Sequence, residues 1–76
     1  MAENYQTSDF YLAVFLKSQG ILLTGIDRAN QRTIFNFHLN GNKQVVLDFY
    51  NNQAMVKVND FVHAERDIRS LIHNNY

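Results

Sequence analysis

Seventy-six residues allow one domain, and at that size a single core is marginal enough that disulfides, a metal or oligomerisation commonly supplement it. Cysteine is absent, which excludes disulfides and thiolate metal sites, fits a reducing cytoplasm, and leaves self-association, most simply a homodimer, as the expected supplement. Seven basic and seven acidic residues balance to zero, so bulk charge draws the chain to neither nucleic acid nor an anionic membrane; the longest apolar run, Phe10 to Leu16, falls far short of the ~20 residues that span a bilayer.

Residues 1–6 have no periodicity and read as a flexible arm. Thr7 is the expected N-cap of a first helix over residues 8–18, with Ser8 and Asp9 in its first turn, where oxygen acceptors and negative charge suit the free amides. Gly20 fits the left-handed position after that helix, with Ile21 folding back on Leu16. The run Phe10 to Leu16 is apolar around the whole helix, so it must be covered on more than one side: by a sheet and another helix, or by a second subunit.

A hairpin follows, with strands near 21–28 and 32–39 and a turn at Ala29-Asn30-Gln31. Placing Arg28 opposite Arg32 pairs Ile26 with Ile34, Gly25 with Phe35, Thr24 with Asn36, Leu23 with Phe37 and Leu22 with His38. One face then holds Phe35, Phe37, Leu23, Leu39 and Ile21; the other holds Arg28, Arg32, Ile26, Ile34, Thr24, Asn36, Leu22 and His38. Two arginines side by side cost stability, and apolar groups on an outward face invite a cover. Arg28, Arg32, Ile26, Ile34, Asn36 and His38 are therefore the first candidate binding surface. The cover could be a dimer mate, a partner protein, a nucleic-acid backbone, or the chain's own tail with Tyr76.

Asn40-Gly41 signals a turn. Beyond it, Val45, Leu47 and Phe49 alternate as in a strand, while Val46, Phe49 and Tyr50 form a helical stripe; a short helix over 43–51, with Asn42 as its cap, is the preferred reading. Met55 to Val58 is expected as a short extended edge strand. Asn59 caps the last helix, about 60–73, whose stripe is Phe61, Ala64, Ile68, Leu71 and Ile72. Arg66, Arg69 and His73 share the opposite arc and form the second candidate surface, for phosphates or an acidic partner; against that stands an ordinary solvated face flanked by Glu65 and Asp67.

Three segments resemble an uncharacterised family of small domains of bacteria and their phages. They are Tyr5-x-Thr7-Ser8-Asp9-x-Tyr11-Leu12-Ala13 with Leu16-Lys17 and Gly20; Asp48-Phe49-Tyr50-Asn51; and Arg66-Asp67-Ile68-Arg69-Ser70-Leu71-Ile72. In order, they cover most of the chain. The resemblance implies a prokaryotic or phage origin, a compact α+β domain and a helical 43–51, but no activity. The chain departs from it in lacking an acidic or proline start before the second helix.

Catalysis finds no support in the pattern. No carboxylate pair is joined to a histidine or nucleophile, and no glycine-rich phosphate loop or nucleophile elbow is present. His38, His63 and His73 lack metal-ligand spacing. The expectation is an α+β single domain, in the order helix, β-hairpin, short helix, short edge strand, helix. Its helices pack on one face of a small antiparallel sheet, residues 7–74 form the body and 75–76 a tail. Functionally it is a non-enzymatic, cytoplasmic protein-interaction or regulatory module without cofactor, self-associating. A nucleic-acid accessory domain using Arg28, Arg32, Arg66 and Arg69, and a phage-encoded inhibitor of a host enzyme or defence complex, are the alternatives.

Overall fold

The computed structural model describes residues 4–75, the side chain of Asn75 excepted; the remainder of the expected arm, residues 1–3, and Tyr76 lie outside the described residues. The elements run β1 (Asn4–Thr7), α1 (Phe10–Ser18), β2 (Leu22–Ala29), β3 (Arg32–His38), α2 (Lys43–Tyr50) and α3 (Val58–Asn75). The α+β class holds, with the helices on one face of an antiparallel sheet of order β1-β3-β2. The edge strand beside the hairpin comes from residues 4–7, where the sequence predicted a loose arm; residues 55–58, expected in that role, are irregular up to the start of α3. One apolar residue, Tyr5, is too little for alternation to show. Pairing with β3 in the register Tyr5 to Phe37 and Thr7 to Phe35 makes the strand.

Asp9, not Thr7, caps α1. Its Oδ1 accepts from the backbone amides of Tyr11 at 3.1 Å and Leu12 at 3.2 Å, while the Thr7 hydroxyl accepts from the Asp9 amide at 3.0 Å. The carboxylate satisfies two free amides and sits at the positive end of the helix, worth about 1 kcal/mol. At the other end Gly20 takes φ +80°, the Ile21 amide donates to the Leu16 carbonyl at 3.1 Å, and the Gly20 amide to Lys17 at 3.0 Å, closing a Schellman turn. Asn52, at φ +59°, does the same for α2, with the Gln53 amide bonded to the Asp48 carbonyl at 2.8 Å. The helix predicted at 43–51 is thus present. Asn42 makes no side-chain cap bond to it and instead donates to the Leu39 carbonyl at 2.7 Å. Similarly α3 begins at Val58, with the Phe61 amide donating to the Lys57 carbonyl, so Asn59 lies inside the first turn and is not its cap.

The hairpin departs from its expected register halfway along. Leu22 pairs with His38 and Leu23 with Phe37, as predicted. The turn, however, has two residues, Asn30 and Gln31, at φ +52° and +66°, the left-handed geometry that matches strand twist. Shortening the turn takes Ala29 into β2 and leaves one residue too many on that strand. A bulge at Thr24 absorbs it, held by a 3.1 Å bond from the Thr24 hydroxyl to the Asn36 carbonyl. Beyond the bulge Gly25 pairs with Asn36, Ile26 with Phe35, Asp27 with Ile34, Arg28 with Thr33 and Ala29 with Arg32. Gln31 holds its left-handed backbone against the preference of a side chain bearing Cβ. Gln31→Gly is expected to raise unfolding stability by about 1 kcal/mol in urea titration.

The core explains the register. Leu12, Ala13, Val14, Phe15 and Leu16 are all buried, with Phe35, Phe37, Ile26 and Leu39 from the sheet side and Ala64 and Ile68 from α3. Helix α1 lies between the sheet and α3, with α2 on its flank, so its apolar surface from Leu12 to Leu16 is used within one chain and Tyr11 stays exposed. The predicted stripe of α3 faces this core along its length. The Tyr5 phenol is pushed above its ordinary pKa by partial burial, then by the neighbouring Tyr50 hydroxyl, to which it is hydrogen-bonded, and by Asp9; that contact ties β1 to α2.

Candidate functional site

The two surfaces expected from sequence are rearranged by the bulge. Ile26 leaves the outer face altogether: it is buried opposite Phe35. Arg28 and Arg32 are not cross-strand neighbours and stand on opposite faces, because Arg28 pairs with Thr33 and Arg32 with Ala29. The outer face keeps Ile34, Asn36, His38, Arg32 and Leu22, joined by Asp27 from β2 and Gln6 from β1.

Its polar groups largely satisfy one another. Asn36, on the central strand, accepts from Gln6 Nε2 at 2.7 Å and donates to Asp27 Oδ2 at 2.8 Å and the Gly25 carbonyl at 3.5 Å. Arg32 donates to the Ser8 hydroxyl at 2.8 Å. One amide side chain therefore spans all three strands, and the bland reading of the face, a satisfied polar sheet surface, gains weight. Leu22, at 63% exposure, is its one large apolar group standing well out of the surface.

On α3, Arg66 and His73 are exposed, as a solvated face requires. Arg69 is turned toward α1. Its guanidinium carbon lies 4.8 Å from the centre of the Phe10 ring, and Nη2 and Nε reach Glu65 Oε2 at 2.9 and 3.0 Å. The ion pair is exposed and worth little, but stacking and pairing together use the guanidinium inside the chain. His38 stands on β3 and His63 and His73 on α3, and no group of three or more His, Asp or Glu side chains among the described residues could hold a metal ion. No helix of the described residues is long and apolar enough to cross a membrane.

The apolar surplus lies elsewhere. Phe15, Phe49 and Phe61 wall a cleft of about 190 Å³ closed by Asn52, Ala54 and Val56. The two most exposed large hydrophobic residues described adjoin it: Met55, at 88%, sits between Ala54 and Val56, and Val58, at 76%, is one turn before Phe61. Tyr11, also exposed, stacks on Phe61 at 6.5 Å between ring centres with planes 13° apart. Phe15 and Phe49 meet at 5.8 Å. The sequence did carry a signal for this surface. Met55, Val56 and Val58 are apolar residues set just after the amide run Asn51-Asn52-Gln53, and an edge-strand reading hid them by assigning them a pairing partner.

Comparison with curated proteins and with solved structures gives no match. A family model described as Domain of unknown function (DUF5659) matches residues 2–74, nearly the whole chain. The Thr7-Ser8-Asp9 start, the α2 segment and the Arg66 to Ile72 stretch all fall inside that match, and the chain belongs to this family of uncharacterised domains.

Proposed function

We propose that the domain is a non-enzymatic protein-interaction module with a regulatory or accessory role, and that the cleft between Phe15, Phe49 and Phe61, with Met55 and Val58 on its rim, is the surface it presents. The observation that supports this reading is that Met55 and Val58, the two most exposed large hydrophobic residues described, stand beside an aromatic-walled cleft. Clustered exposed apolar surface marks association sites, and aromatic residues and methionine are the types enriched there. The outer sheet face supports it less, since its amides and charges already bond to one another.

Placing a photoreactive phenylalanine analogue at Met55, and in a control protein at Gln31, tests the reading in lysate of the source cell. Adducts at position 55 several-fold above those at 31, and lost when Val58→Asp is added, are the expected result. Equal labelling at the two positions would remove the surface from consideration.

A further inference from the structure

We infer that Met55 is a site of reversible oxidation, and that a sulfoxide there switches the rim of the cleft from apolar to polar. The second half rests on the interaction reading above and gives that surface a means of regulation. Composition directs the oxidant. The chain has no cysteine and no tryptophan, so its two thioethers are its most readily oxidised side chains. Met1 lies outside the described residues. Met55 is 88% exposed, the most open large hydrophobic side chain described, which leaves little to shield its sulfur. The step needs only a peroxide. A sulfur lone pair attacks one oxygen of hydrogen peroxide, and the O–O bond breaks as the S–O bond forms. The second oxygen takes the proton of the transferred one and leaves as water, and sulfur gives up two electrons. A methionine sulfoxide reductase reverses the change with two thiols, which become a disulfide while the oxygen leaves as water.

Position supplies the consequence. Met55 stands between Ala54 and Val56, both of which line the cleft with Phe15, Phe49 and Phe61. A thioether on such a rim offers a soft apolar contact to whatever docks there. A sulfoxide offers a strong hydrogen-bond acceptor instead, which burial under an apolar partner would leave unpaired at a cost. The fold does not depend on this side chain. Residues 53–57 form no helix or strand, and Met55 belongs neither to the buried core nor to the partly buried groups packed on it. Oxidation therefore changes the surface and leaves the helices and sheet in place.

Hydrogen peroxide treatment followed by peptide mapping in the mass spectrometer reads the first half, and binding of the apolar probe anilinonaphthalene sulfonate reads the second. Measured against free methionine in the same tube, Met55 is expected to oxidise in the folded chain within about twofold of its rate in the urea-unfolded chain. The urea midpoint of the oxidised chain should be unchanged. Oxidised chain should bind the probe several-fold more weakly, and reductase with thiol should restore binding. Met55→Leu should bind the probe and ignore peroxide, whereas Met55→Gln should bind weakly without it. Several-fold protection of Met55 by folding overturns the oxidation site. Probe binding that is equal before and after full oxidation at Met55, or that peroxide weakens in Met55→Leu as well, overturns the switch and leaves the interaction surface standing. A reduced wild type that binds no probe at the cleft, as read by amide shifts, overturns the interaction reading and the switch with it, while the peptide map alone still decides the oxidation site.

Discussion

Replacing Phe37 by alanine is expected to cost about 3–5 kcal/mol, the range for deleting a buried aromatic ring. Phe37 is wholly buried on the central strand, paired with Tyr5 on one side and Leu23 on the other, so its ring meets α1 from the middle of the sheet. A domain of 76 residues has a total stability of roughly 4–11 kcal/mol. The variant should therefore be largely unfolded in modest urea, with its midpoint far below that of the wild type in circular dichroism. A loss of less than about 1 kcal/mol would mean that the strands do not close on this ring.

Val14→Asp has a comparable effect for a different reason, and it separates two accounts of α1. An all-round apolar helix in so short a chain could face a second subunit, in which case a charge at Val14 would yield a folded monomer. In this structure Val14 has no exposed surface, with α1 lying between the sheet and α3. An unpaired carboxylate there has no partner among the surrounding apolar groups, and isolated burial of charge costs several kcal/mol. The expected result is an unfolded chain at every protein concentration. A folded, monomeric Val14→Asp would contradict the internal placement of α1.

Much of this fold could be read from residue order, and the failures have specific physical causes. The stripe of α3 and the Schellman turn at Gly20 were legible because both depend on near neighbours in sequence. So was α2, whose buried Val46 outweighs the competing alternation of Val45 and Leu47. The hairpin was half legible. Leu22–His38 and Leu23–Phe37 follow from alternation, but a two-residue left-handed turn at Asn30-Gln31 and the bulge it forces at Thr24 are a matter of one residue of slack. Alternation shows each strand's faces and not where a count is lost. That single residue moved Ile26 from the surface to the core and separated Arg28 from Arg32. β1 was invisible because its pairing energy comes from β3, 30 residues away, as in the Gln6–Asn36 bond.

For the site, the expectation that the chain has more apolar surface than it can cover survives, but at a different place. The first helix buries Leu12 to Leu16 within the chain, and the outer sheet face is mostly a bonded polar surface. The most exposed groups are Met55, on irregular backbone that gave no periodic signal, and Val58, at the first position of α3.

The most direct test of this account is a pair of amide ¹H–¹⁵N correlation spectra of the full chain, recorded without and with an excess of the apolar probe anilinonaphthalene sulfonate. Probe-dependent shifts confined to Tyr11, Phe49 and residues 52–61 are the predicted result. Shifts confined to the outer sheet face, at Leu22, Ile34, Asn36 and His38, or spectra that do not change with the probe, would contradict it.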